Sequence, residues 1–156
     1  MTGRSLTVSR AFSSRSVPSV EVRHSLPSRI ADISPLVVQL MLLIGISRTP
    51  DGSNHEIELA LREALVNAIV HGNREDPEKR VDVACRCSAD GGIDITIRDH
   101  GAGFDAQAFV DSTAPKEKAA THSRGIFLMR AMMDEVWFSG GGTEVHLRKK
   151  PNTTWV

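Results

Sequence analysis

Two pairs of alternating apolar and polar runs, each pair joined by a short glycine turn, constrain this chain more than any other feature. Residues 81–88 and 93–98 flank Asp90-Gly91-Gly92, and residues 136–139 and 143–149 flank Gly140-Gly141-Gly142. Strict alternation puts successive side chains on opposite faces of a strand, and a turn this short joins antiparallel neighbours. A third alternating run, residues 19–26 with Val20, Val22, His24 and Leu26, reads as an edge strand. The intervening segments carry helical spacing. Ser34-Pro35 opens a strongly apolar helix over residues 35–44, with serine as N-cap, proline at the first helical position and Gly45 as its stop. Asn54 caps a second helix over residues 55–71, closed by Gly72-Asn73, and a third helix fits residues 125–133. Residues 99–123 read as a loop, with a short helix near residues 106–110. This order gives an α+β fold, a two-layer sandwich with a mostly antiparallel sheet and its helices segregated to one face.

The 156 residues and 17.0 kDa suffice for one domain with its own core. Nineteen basic residues balance nineteen acidic ones, which argues against a whole-molecule footprint for nucleic acid or an anionic membrane. With no tyrosine and an aromatic share of 4%, the core must be mostly aliphatic, and the composition argues against base-stacking platforms. Cys85 and Cys87 are too few for a disulfide framework or a four-thiolate zinc site. Their spacing puts both on one strand face, as packing or surface thiols. The longest apolar run, residues 36–46, is interrupted by Gln39 and Gly45 and is far short of a membrane span. Arg4, Arg10 and Arg15 stand among serines, with no acidic residue before Glu21. Residues 1–17 are therefore expected to be a disordered extension, residues 18–150 the domain and residues 151–156 a tail.

On a helical wheel, Ile57, Leu61, Ala64, Leu65 and Ala68 form one apolar face, and Leu59, Val66 and Val70 a second patch. Glu58 and Arg62, an i,i+4 pair with acid before base, lie away from the main face as a solvated ion pair. Between the patches runs a stripe of Glu56, Glu63, Asn67 and His71. Buried polar groups need partners, so the stripe is either wetted by solvent or a neighbouring loop, or it walls a polar pocket. Glu63 and Asn67, one turn apart, suit metal-nucleotide chemistry. The amide oxygen is a hard neutral ligand for Mg²⁺, and the carboxylate can orient or deprotonate a hydroxyl. His71 fits a cap at the helix end, with a phosphate contact as the alternative.

Asp99-His100-Gly101-Ala102-Gly103-Phe104 follows directly on a strand. A carboxylate there can accept a hydrogen bond from an exocyclic amine such as adenine N6, and the glycines let the backbone turn and a flat ring approach. Equally, an aspartate followed by glycines can be a plain turn. Ser123-Arg124-Gly125 opens the third helix, where free N–H groups and the arginine could meet an anion; an ordinary helix start is the alternative.

Taken together, Glu63-x-x-x-Asn67-Ala68-x-x-His71-Gly72, then Asp99-x-Gly101-x-Gly103-Phe104, then Arg124-Gly125-Ile126-Phe127-Leu128-Met129 form the ordered N, G1 and G2 boxes. The set resembles the ATPase superfamily shared by DNA gyrase and the histidine kinases. Within it, residues 26–29, 57–61 and 132–136 make the chain similar to the bacterial anti-sigma factor serine/threonine kinases. The resemblance implies the histidine kinase-like ATPase fold, a helix layer on a mixed, mostly antiparallel sheet with ATP between two helices and a lid loop over residues 105–123. It implies that Asn67 binds Mg²⁺, Glu63 is the general base, Asp99 reads adenine with Gly101 and Gly103 admitting the ring, Arg124 and Gly125 meet phosphate, and Thr143 lies near the base. Two departures stand out. Ser123 occupies a position where a second glycine is usual, and Lys116, Glu117, Lys118 and alanines replace a glycine-rich lid. The implied activity is cytoplasmic phosphorylation of an anti-anti-sigma factor by a protein that also binds a sigma factor. The alternative is a nucleotide-gated binding module that phosphorylates nothing. Residues 35–44 and the N-terminal strand offer a hydrophobic surface that a homodimer could use, and a buried core helix explains both equally well.

Overall fold

The computed structural model describes residues 7–11, 17–47, 53–104 and 117–151. Strands β1 (Thr7–Ala11), β2 (Ser19–Pro27), β3 (Arg80–Ser88), β4 (Ile93–Asp99), β5 (Glu135–Ser139) and β6 (Glu144–Lys149) form one sheet in the order β1-β2-β3-β4-β6-β5. All the pairings are antiparallel, so among the described residues the sheet has no parallel component. Both hairpins form where the glycine turns place them. Within the extension expected to be disordered, residues 7–11 instead form β1, which pairs Thr7 with Arg23 and Ala11 with Ser19; residues 1–6 and 12–16 lie outside the described residues. β2 is consequently an inner strand. The expected short helix at residues 106–110 and the tail beyond residue 151 lie outside the described residues.

Period-2 alternation divides the sheet cleanly. One face carries the cross-strand row Val22, Cys85, Ile95, Leu147 and Val136, beside a second row that includes Val83, Ile97, Val145 and Phe138. The opposite face carries Glu21, Arg86, Asp94, Arg148 and Glu135 in register, with charges alternating in sign across five strands. Arg86 reaches Glu21 at 3.2 Å, and Arg148 reaches Asp94 at 2.6 Å and Glu135 at 3.4 Å. Opposite charges directly across strands contribute roughly 0.2–1 kcal/mol per pair. The balanced net charge is thus laid out partly as a ladder on the open face.

Helices α1 (Ile33–Ile46), α2 (Ser53–Val66) and α3 (Glu117–Met132) cover the apolar face. Val37, Leu40 and Ile44 of α1, Ile57, Leu61 and Leu65 of α2, and Ile126 and Met129 of α3 are buried in one core with the strand residues. Each fully buried aliphatic side chain contributes about 1.5–3 kcal/mol. The Cys85 and Cys87 thiols are buried in that core and are packing groups.

Helix ends depart from the expectations made on sequence. α1 runs through Gly45 and stops at Ser47, whose hydroxyl donates to the Leu43 and Ile44 carbonyls at 2.9 and 3.0 Å. Gly45 does not take the left-handed conformation that makes glycine a helix stop. α3 begins eight residues before Gly125, because Glu117, Lys118, Ala119 and Ala120 are good helix formers. Its far end is held by Lys149, whose ammonium donates to Met132 O and to Glu56, both at 2.7 Å. Among the described residues no helix is long and apolar enough to cross a membrane.

Candidate nucleotide site

α2 does not end as a regular helix. It widens into a π-helical stretch, Asn67–Gly72, in which the Asn73 N–H reaches five residues back to Ala68 O at 2.8 Å. Such wide turns concentrate at functional sites. The helical stretch ends at Gly72 with Asn73 as its C-cap, at the stop expected from sequence, and the chain turns away through Arg74 and Glu75, both in the left-handed region.

The π stretch forms one wall of a cavity of about 190 Å³. Its other walls are the end of β4, the segment through Phe104, α3 and the β5–β6 turn. Asn67, His71, Gly72, Asp99, Gly103, Phe104, Gly142 and Thr143 line it, over a floor that includes Ile97, Met129 and Val145. Phe104 meets Phe138 edge to face at 5.2 Å. The walls are therefore largely apolar with a few polar groups at defined places, the usual make-up of a small-molecule site.

At one end sits Asp99, 8% exposed. Burial pushes its carboxyl above the ordinary aspartate range, against the lowering effects of the Gly101 N–H bond at 2.8 Å and of the nearby His100 and Lys79 charges. The Asp99 N–H donates to Thr143 O at 2.9 Å, so the last hairpin holds the backbone of this carboxylate in place. Gly103 (φ +79°) lies against the carbonyl of Gly141, and Phe104 N–H donates to that same oxygen at 3.0 Å. A side chain at Gly103 would strike that carbonyl. Thr143 Oγ1 donates to Gly140 O at 2.8 Å and closes the turn.

At the other end stand Glu63 and Asn67, both half-buried. Gly125 presses against them. A Cβ there would lie 3.0 Å from Asn67 Nδ2 and 3.1 Å from Glu63 Oε2. Gly125 is the ninth residue of α3 and not its first, so the expected exposed N–H groups at a helix start are not found. The hydrogen-bonded turns before it occupy them. The Asn67 amide nitrogen is buried with no hydrogen-bond partner. Arg124 is exposed on α3 and does not line the cavity, and Ser123 lies within the same helix. Of the expected lid, residues 105–116 lie outside the described residues, and residues 117–123 are helical.

The polar stripe of α2 therefore has two uses. Glu56 pairs with Lys149 at the end of α3, Glu63 and Asn67 face Gly125, and His71 lines the cavity. Glu58 and Arg62 form the expected surface pair at 3.0 Å. Of the residues singled out from sequence, Asn67, Asp99, Gly103 and Thr143 converge on the cavity, with Glu63 and Gly125 at its rim. Gly101 stands behind Asp99, against the carbonyl of Gly72.

Gly72, read as a helix stop and as the end of the N box but given no role, and Asn73, read only as a helix stop, both belong to the site. A Cβ on Gly72 would land on the Asp99 carboxylate. Asn73 is fully buried, donating to Arg80 O at 2.9 Å and accepting from the His100 N–H at 2.8 Å. A buried asparagine just past an amphipathic helix is the signal that sequence offered.

The chain belongs to the histidine kinase-like ATPase domain family, whose profile matches residues 26–149. Among curated proteins it is similar to the anti-sigma F factor of Geobacillus kaustophilus (strain HTA426), at 28% identity over 145 residues, 88% of each chain. It is 33% identical over 101 residues to the anti-sigma F factor of Geobacillus sp. (strain WCH70), covering 60% of this chain and 67% of the relative. The corresponding protein of Heyndrickxia coagulans is 32% identical over 97 residues, 59% of this chain and 66% of the relative.

Proposed function

We propose that this chain is an ATP-dependent serine/threonine protein kinase and anti-sigma factor. In this reading it phosphorylates an anti-anti-sigma factor in the cytoplasm and holds a sigma factor when that partner is absent. The observation that carries the reading is one cavity lined by both the buried carboxylate of Asp99 and the amide of Asn67, with Glu63 beside Asn67 against Gly125.

Asp99 accepts a hydrogen bond from the adenine N6 amine, Gly103 admits the ring, Gly101 braces the carboxylate from behind, and Thr143 borders the ring. Glu63 takes the proton of the acceptor hydroxyl as its oxygen bonds to the γ-phosphorus and the bond to the ADP oxygen breaks. The residues at the phosphate end fit Mg²⁺. The Asn67 amide is buried without a partner, and turning its oxygen inward offers a neutral ligand beside a carboxylate to an ion that is held largely by phosphates and water. Asn67 would hold Mg²⁺ there, and the ion would supply charge neutralisation to the phosphates. Gly125 and Arg124 meet the phosphates once the start of α3 opens. A homodimer forms over the outward face of α1, where Val38, Leu42 and Ile46 are exposed.

Incubation with γ-labelled ATP and a candidate regulator tests this. Label on a serine or threonine of the regulator supports transfer, and label released only as free phosphate overturns it. The second reading, a nucleotide-gated binding module without transfer, is favoured by one observation: α3 runs unbroken over Glu63 and Asn67. It requires that the regulator be bound in a nucleotide-dependent way and leave unlabelled.

A further inference from the structure

Gly72 has no conformational reason to be glycine. Its φ is not positive, and it ends a helical stretch, where alanine is better by about 0.5–1 kcal/mol. What it lacks is room. A Cβ would overlap the Asp99 carboxylate, and the glycine's own carbonyl is braced from the other side by Gly101. The extra residue of the π stretch brings this Cα against the end of β4. The next residue, Asn73, locks the approach by bonding both the first residue of β3 and the residue after Asp99.

We infer that Gly72 is a specificity-determining position. By presenting bare backbone it seats the Asp99 carboxylate facing the cavity, and so sets the preference for a purine carrying a 6-amino donor over one carrying a 6-oxo acceptor. The inference rests on the reading of Asp99 as the base acceptor. Gly72 touches no reacting atom and acts through Asp99 as a positioning residue. A side chain at 72 turns the carboxylate out of line, removing the acceptor while leaving the apolar walls that hold the ring.

The test compares binding of ATP and inosine triphosphate, which differ at the 6-position, in the full chain by calorimetry. Wild type should prefer ATP by about tenfold or more. Gly72→Ala should lose that preference, bringing the ratio within about twofold of unity, with inosine triphosphate binding unchanged. A variant that weakens both nucleotides equally, or keeps the wild-type ratio, overturns the inference. Should Gly72→Ala not fold, Gly72→Ala combined with Asp99→Gly removes the overlapping carboxylate and should restore folding. A double variant as unstable as the single overturns the inference. Asp99→Ala separates the two levels. If it retains the preference, the base-acceptor reading itself fails. If it loses the preference while Gly72→Ala keeps it, only the role of Gly72 fails.

Discussion

The two ends of the cavity are built differently. Around Asp99 nearly every backbone group is committed. The aspartate N–H bonds Thr143, its carboxylate bonds Gly101, and Gly72, Gly101, Gly103 and Gly142 close contacts that leave no space for a side chain. Around Glu63 and Asn67 the contacts are those of one helix resting on another, with an asparagine amide left unpartnered beneath Gly125. On the proposed reading, the Asp99 end is ready before a nucleotide arrives, while the end at Glu63 and Asn67 rearranges to receive the phosphates. A pre-formed end supplies selectivity. An end that must open lets the bound phosphates govern the conformation of α3.

Substitutions at each end should separate these roles. The largest effect is expected from Glu63→Ala, which should lower transfer to the regulator by about 10²–10⁴-fold while calorimetric ATP affinity stays near wild type. A variant transferring at the wild-type rate removes the general base from the phosphate end. Next, Asp99→Asn should weaken ATP by about tenfold or more, the order of one buried hydrogen bond left unmade. The same carboxylate predicts a pH dependence. Burial raises its pKa in the free protein, and a bound amine donor favours the ionised form and lowers it. Affinity should then be full at neutral pH and fall on acidification through the free-protein value, beginning above the ordinary aspartate range. Titrating ATP affinity against pH in wild type and Asp99→Asn checks this, since the variant should be flat.

Gly125→Ala should act more weakly and only at the phosphate end. With the Asn67 and Glu63 side chains shifting by a few tenths of an ångström to admit the Cβ, alanine's propensity favours the helical form of α3 by about 1 kcal/mol, or roughly fivefold against any state in which that helix opens. ATP should weaken accordingly while adenosine does not. Equal weakening of both would place Gly125 among the base contacts. Smallest of all, Glu58→Ala should cost no more than about 0.5 kcal/mol in thermal unfolding and leave nucleotide binding untouched.

The same contrast explains what could be read from the sequence. Strand alternation and the glycine turns of both hairpins are local signals, and the sheet formed accordingly, with Asp99-x-Gly101-x-Gly103 at a strand end where the spacing put it. The wheel of residues 55–72 correctly divided the apolar face from Glu63, Asn67 and His71. Helix ends were poorly legible because competing signals of similar size decide them. Serine hydroxyl bonds overrode Gly45, and a run of lysine, glutamate and alanine carried α3 past Ser123 and Gly125. The strand Thr7–Ala11 carries no run of alternating apolar residues that would mark it in the sequence, and the structure pairs it with β2. The closeness of Gly72 to Asp99 spans 27 positions of chain, and no local pattern encodes it.

The widened turn at Asn67–Gly72 has one more consequence. It makes this stretch sensitive to counting as well as to chemistry. Removing a single residue between Asn67 and Gly72 would let α2 continue as a regular helix and turn everything after the cut by about 100°. His71 and Gly72 would then leave the cavity wall with every side chain type still present. Length here is as much a part of the recognition element as the identity of any residue in it.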